Sequence, residues 1–155
     1  MKTLVLGIGN PILGDDGIGV RVAEALTHRI DDGDIKVRTA NTDGLGLLEL
    51  ILGYDRLILV DALMSESVEV GKVYRLKLEA IEPSAPSVSL THHVNLATAV
   101  ELGRKLFLEE MPKEIVIFAV GVKEISQITE EMTAEVGSAV PEVCELILKE
   151  VATFT

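Results

Sequence analysis

Tryptophan is missing from the sequence, two tyrosines and three phenylalanines are its only aromatics, and Cys144 is its only cysteine. A lone cysteine excludes an intramolecular disulfide framework and a cysteine-rich zinc site. With so few aromatics the core has to be aliphatic, as in sheets covered by helices on both faces. Basic residues are scarce as well: 14 lysines and arginines against 25 acids leave a formal net charge of −11. Such a chain offers no basic face to nucleic acid or to an anionic membrane. No apolar run is long enough to span a bilayer, and "MKTLVLGIGNP" lacks a basic n-region followed by a long apolar stretch. A cytoplasmic protein is the expectation.

What is present is an alternation of two periods. The runs Thr3–Gly9, Arg56–Ala62 and Glu114–Gly121 are near-continuously apolar and predict strands buried on both faces. "IKVRTAN", from Ile35, is shorter and alternates, which suits an edge. From Val70, "VGKVYRLKLE" sets Val73, Arg75 and Lys77 against Tyr74, Leu76 and Leu78, the pattern of a half-exposed antiparallel strand. Helical spacing joins Ile18, Val22, Ala25, Leu26 and Arg29, then Leu96, Ala99, Val100, Gly103, Leu106 and Phe107, and then Met132, Val136, Val140, Val143 and Ile147. Thr129 is the expected N-cap of the last helix, and Pro141 should kink or split it by opposing the carbonyl of Gly137. The stretch Ile81–Ser89, rich in proline and serine, reads as a flexible loop. The expected fold is therefore α/β, a single domain over residues 1–155. It should hold an open, mostly parallel five-stranded sheet with helices on both faces and one antiparallel strand.

The chemistry concentrates in "LGIGNPILGDDGIGV", Leu6–Val20. It opens like a dinucleotide fingerprint, but Ile12 stands at the third glycine position and Pro11 intrudes. No G-x-x-x-x-G-K-[ST] is present. Two aspartates at a helix start would also repel the phosphate that such a start attracts. Asp15 is accounted for as the cap of the helix that follows. Asp16 is then surplus, and becomes a candidate metal ligand or acid–base group. Gly7 and Gly9 suit close strand–helix packing, and Asn10 suits capping of the loop backbone. Asp61 follows the run Leu57–Val60 and belongs at the carboxyl end of a buried strand, where open α/β sheets form their ligand crevice. "SLTHHVNL", Ser89–Leu96, sets His92 and His93 at a helix start behind Thr91, and periodicity does not choose between them. Asp43, before a glycine pair at a strand–helix junction, has capping as its ordinary account. His28 should be exposed at a helix end, and Cys144 should be a small core residue. No serine stands in G-x-S-x-G, which leaves a serine triad without an anchor. Two carboxylates and an imidazole suit a divalent first-row metal with open positions for substrate.

Taken together these segments resemble the hydrogenase maturation proteases, endopeptidases that trim the large subunit of nickel–iron hydrogenases. "GIGNPILGDDGIGVRVAEAL" is similar to the family pattern G-x-G-N-x-x-x-x-D-[DE]-G-x-G. "TDGLGLLELI", "LILVDAL", "LTHHVNLATAVEL" and "AVPEVCELIL" are similar to further family segments, with Leu45 and Leu90 departing from the usual small residue and serine. The resemblance implies that Asp16, Asp61 and His92 contact nickel and that Asp16, Asp61 and Asp43 serve hydrolysis. It also implies that the nickel is not a standing cofactor but arrives in the partner, a nickel-loaded large-subunit precursor that loses a C-terminal extension. On that register the loop is glycine-rich so that the partner's metal site can approach. A monomer meeting its substrate transiently is the expectation. The competing expectations are a nickel-sensing or nickel-delivering module without hydrolysis, and a hydrolase with resident zinc or magnesium.

Overall fold

The computed structural model describes residues 1–41, 44–64, 67–78, 89–90, 93–123 and 127–153. The chain runs β1 (Thr3–Ile8), α1 (Ile18–Thr27), β2 (Ile35–Ala40), α2 (Gly44–Ile51), β3 (Arg56–Met64) and β4 (Val73–Lys77). It continues with β5 (Ser89–Leu90), α3 (His93–Leu106), β6 (Glu114–Val122), α4 (Ala134–Gly137) and α5 (Ala139–Ala152). Five strands lie in the order β2-β1-β3-β6-β4, and the two-residue β5 adds to β3. The pairs β1–β2, β1–β3 and β3–β6 are parallel, whereas β4 runs antiparallel to β6. The five strands expected from periodicity are all present, with β2 at one edge and β4 at the other.

Alternation along the strands sorts two cores. Leu4, Leu6 and Ile8 of β1 and Leu57, Leu59 and Leu63 of β3 pack on one face with α2 and α3 residues such as Leu47, Leu48, Leu96 and Val100. Val5, Ile58, Val60 and Ala62 face the other way, onto Ile18, Val22 and Leu26 of α1 and Val143 and Ile147 of α5. Such a three-layer arrangement hides both faces of the parallel strands, which is why β3 and β6 read as unbroken apolar runs.

Several local expectations resolve differently. In α1 the buried stripe is Ile18, Val22, Ala23 and Leu26, while Ala25 and Arg29 are exposed. The α3 stripe stops at Gly103, where an added Cβ would lie 2.3 Å from the sulfur of Met111. Leu106 is therefore exposed at the helix end and Phe107 falls beyond it. The expected split of the C-terminal helix is present: it divides at Ser138, and Pro141 sits in the first turn of α5, where its missing N–H costs no helical bond. The proline- and serine-rich stretch 81–88 lies outside the described residues.

The amino edge of the sheet is closed by charge. Arg56, 1% exposed at the start of β3, donates to the Glu150 carboxylate at 2.8 Å and to the Glu150 carbonyl at 3.1 Å. Arg75 of β4 donates to the same carboxylate at 2.6 and 3.2 Å. The Arg75 hydrogen bond holds the Glu150 carboxyl below its ordinary range. A C-terminal helix, a central strand and an edge strand are thereby tied at the end of the sheet remote from the conspicuous aspartates.

Candidate active site

Beyond Ile8 the chain folds into a tight loop that returns onto its own start. The Asn10 carboxamide oxygen accepts the Ile12 N–H at 3.1 Å, an Asx-type turn that reverses the backbone. Gly14–Gly17 then form one 3-10 turn carrying both aspartates. A Cβ on Gly9 would stand 2.1 Å from the Asp16 carbonyl oxygen, so only glycine lets the turn settle there. Asn10 N–H donates to Asp16 Oδ2 at 2.9 Å, and Asp16 is 3% exposed. The carboxylate is thus oriented twice over, by the seat of its own backbone on Gly9 and by a hydrogen bond to one oxygen.

Asp61 comes to the same edge from β3, which runs on to Met64 instead of ending at the aspartate. Strand alternation places its side chain on the face of Leu59 and Leu63, the face covered by α2 and α3. It is 2% exposed, and its Oδ1 accepts the Ala62 N–H at 2.8 Å. One flank of β3 is filled by β6, paired from Arg56 through Met64. On the other flank β1 pairing stops at Val60, and β5 takes over at Leu63 with Leu90. Asp61 therefore stands beside a gap in the ladder, and the 3-10 turn after β1 packs against β3. The chain leaves β1 toward β2 and returns to β3 on the opposite side, so this gap is the topological switch point of the sheet, where ligands of open α/β folds bind.

The remaining sequence candidates are bracketed by described elements. Leu90 pairs with Leu63, two residues past Asp61, and α3 begins at His93; Thr91 and His92 themselves lie outside the described residues, as does Asp43 before α2.

A model of the family described as "Hydrogenase maturation protease" matches residues 20–150. The chain belongs to the hydrogenase maturation protease family. It is 33% identical over 121 residues to the hydrogenase 2 maturation protease of Escherichia coli strain K12, covering 77% of this chain and 73% of that one. It is 34% identical over 140 residues to a protein named FrxA from Pyrococcus furiosus, covering 88% and 95%. Among solved structures, the hydrogenase maturating endopeptidase HybD from Escherichia coli superposes with a TM-score of 0.82 at 28% identity, over 99% of this chain and 93% of that one. As a member of the family the protein is a peptide-bond hydrolase of hydrogenase maturation.

Within this maturation protease, three residues do work that the sequence reading did not assign to them. Asp15 does not cap α1; it reaches across to the start of α4, accepting the Thr133 N–H at 2.7 Å and the Thr133 hydroxyl at 3.0 Å. Thr133, not Thr129, precedes the first turn of that helix. Thr129 instead bridges the first loop: its N–H donates to the Ile12 carbonyl and its carbonyl accepts the Gly14 N–H, each at 2.8 Å. The glycines serve the close strand–helix packing expected of them: a Cβ on Gly7 would lie 2.0 Å from the Gly19 carbonyl oxygen of α1. A Cβ on Gly19 would lie 2.3 Å from the Val60 carbonyl oxygen and 2.4 Å from that of Ile8, so α1 is seated directly on the ends of β1 and β3. The space beside these glycines is filled by the chain itself.

Proposed function

We propose that the protein removes the C-terminal extension of a nickel–iron hydrogenase large-subunit precursor once nickel has been inserted, and that Asp16, Asp61 and His92 contact that nickel. What supports the reading is that Asp16, on the 3-10 turn packed against β3, and Asp61, near the end of β3, both belong to the carboxyl edge of the sheet at its switch point. Each is almost wholly buried, and each has one oxygen fixed by a backbone N–H. Carboxylates oriented in this way are preorganised oxygen ligands for a first-row divalent cation. His92 would supply a nitrogen donor, and it follows a strand pinned to β3 just past Asp61 and precedes α3 on the Asp61 face. Asp43 stands before α2 on that same face and would help to position the cleaved segment.

Hydrolysis needs a water activated against the scissile carbonyl. The precursor's nickel polarises that carbonyl or only docks the substrate; in both cases Asp16 or Asp61 takes the proton of the attacking water. The metal belongs to the substrate, which makes cleavage conditional on its insertion. The test is the mass of a large-subunit precursor after incubation with the protein, with nickel loaded and with nickel absent. Loss of a C-terminal peptide only from the loaded precursor is expected. Loss from both would discard nickel as the signal. Loss from neither, with tight retention of nickel, would identify a delivery module. Metal analysis of protein purified without added metal should find the site largely empty, and stoichiometric zinc or magnesium would point to a resident-metal hydrolase.

A further inference from the structure

The 3-10 turn that carries Asp16 has little to hold it from within. Leu13 offers it no side-chain cap, and its Asp16 N–H reaches the Leu13 carbonyl at 3.2 Å. Turns of this kind have poor hydrogen-bond geometry, so the surroundings decide how this one sits. Those surroundings come from a segment 118 residues further along the chain. The Thr129 N–H donates to the Ile12 carbonyl and the Gly14 N–H to the Thr129 carbonyl, each at 2.8 Å. Thr133 donates its N–H to Asp15 Oδ1 at 2.7 Å and its hydroxyl to Asp15 Oδ2 at 3.0 Å. Both oxygens of a carboxylate that is 7% exposed are thereby engaged.

The gripping segment is itself fixed. The Glu131 N–H donates to the Thr129 hydroxyl at 3.1 Å, which curls the chain between the two threonines. Beyond Thr133, Val136 of α4 is fully buried in the core that α1 and α5 share. A Cβ on Gly71, in the turn before β4, would stand 2.5 Å from the Glu135 carbonyl oxygen, so that turn lies directly against α4. Residues 12–15 are thus held by a well-packed part of the fold, immediately before Asp16. On its other side Asp16 has its carbonyl seated on Gly9 and its Oδ2 held by the Asn10 N–H.

Resting on the function proposed above, we propose that Thr133 is a positioning residue of the cleavage site. Through Asp15 it fixes the 3-10 turn, and so the place from which the Asp16 carboxylate meets the substrate. Neither Thr133 nor Asp15 touches substrate on this account; the link runs through the backbone of the turn. Freed of Thr133, Asp15 would leave its buried place, because an ionised carboxylate is not kept from water without partners. The turn would follow, and Asp16 Oδ2 would part from the Asn10 N–H. A misplacement of about 1 Å at a reacting group is enough to cost about a hundredfold in rate.

The experiment follows two readouts in wild type, Asp15→Ala, Asp15→Asn, Thr133→Val, Thr133→Ser and Glu150→Gln, at a temperature well below every Tm. One is kcat/KM for nickel-loaded precursor. The other is hydrogen exchange of the Asn10 amide, taken relative to amides of β3 in the same sample. Asp15→Ala loses both Thr133 bonds; it should lower kcat/KM at least about tenfold and speed relative Asn10 exchange at least about tenfold. Thr133→Val loses only the hydroxyl and should lower kcat/KM about threefold. Thr133→Ser and Asp15→Asn can keep both bonds and should match wild type in both readouts. Glu150→Gln loosens the remote end of the sheet and should lower Tm with kcat/KM and relative exchange unchanged. Wild-type kcat/KM in Asp15→Ala would overturn the proposal, as would a loss there with Asn10 exchange unchanged. Thr133→Ser as slow as Thr133→Val, or an equal loss in Glu150→Gln, would overturn it too. Should Asp15→Ala not fold, the Thr133→Val and Thr133→Ser pair decides by the same two readouts. If wild type trims no precursor, the function proposed above fails and takes the positioning role with it; each of the other overturning results leaves that function standing.

Discussion

Adjacent aspartates with opposite duties make the sharpest test of the site. Asp15 accepts two hydrogen bonds from Thr133, and Asp16 accepts one from Asn10. In Asp15→Ala both Thr133 bonds are lost, one of them to the N–H at the first turn of α4. Hydrogen bonds to a charged group contribute about 1.5–3 kcal/mol each, and two that share one residue are not additive; about 3 kcal/mol is expected. For a chain of this length that lowers Tm by about 6–12 °C. In Asp15→Asn the carboxamide oxygen can still accept the Thr133 N–H while its NH2 donates to the hydroxyl, so the cost should fall to about 1 kcal/mol and processing should persist. Asp16→Asn should do the reverse. Its oxygen can keep the Asn10 N–H bond, and processing of nickel-loaded precursor should be abolished in protein that still unfolds cooperatively. The assay is thermal unfolding beside precursor mass on the same preparations. Abolished processing in Asp15→Asn at unchanged Tm, or normal processing in Asp16→Asn, would refute the division of labour.

Further outcomes follow from the rest of the fold. Glu150→Gln should destabilise at neutral pH because Arg56 and Arg75 lose a charged partner. The Glu150 carboxyl is held low chiefly by its Arg75 hydrogen bond, so its contribution is present above its unfolded pKa and is lost as pH falls through the lower folded value. Wild-type and variant Tm should therefore differ at pH 7 and converge under strongly acidic conditions; a pH-independent gap would refute the linkage. Gly19→Ala should cost at least about 3 kcal/mol in chemical denaturation, since both clashing atoms are backbone carbonyls that cannot rotate away. Gly33→Ala, with nothing within 4 Å of the added Cβ, should stay within about 0.5 kcal/mol. Cys144 is 2% exposed and burial pushes its thiol up, so alkylation should be limited by unfolding; rapid modification of native protein would contradict its place in the core.

The parts of the fold that were legible in the sequence are those whose cause is local. β3 and β6 are covered on both faces, so every residue from Leu57 to Val60 and from Ile115 to Val120 is buried and apolar. No neighbour need be known to see such a strand. β5 has no such signature: two residues, Ser89 and Leu90, become a strand only because β1 stops short and leaves the Leu63–Met64 flank of β3 open. Asp15 was misassigned for the same reason. Its partner Thr133 lies 118 residues away, and a cap of the adjacent helix was the only role its neighbours suggested. Thr129 and Thr133 each stand close before an acid, and the backbone bridge from Thr129 to Ile12 and Gly14 decided which would precede α4.

The glycines carry the more consequential lesson. Their number in the first loop was legible, but their purpose depends on what occupies the missing side-chain volume. At Gly9 that is the carbonyl of Asp16, and at Gly19 the carbonyls of Ile8 and Val60. A substrate therefore cannot enter through the glycines, because the chain's own backbone is already there. What they provide is proximity: α1 and the 3-10 turn are drawn onto the ends of β1 and β3, and Asp16 is carried to the edge that Asp61 reaches from within the sheet. Approach to the two carboxylates is left to the gap between β1 and β5 on β3, on the Asp61 side toward the α2 and α3 termini. On the proposed function, a metal site presented by a partner would meet the carboxylates there. Enlarging a glycine should consequently damage the fold before it blocks access, so Gly19→Ala should lose Tm and processing together.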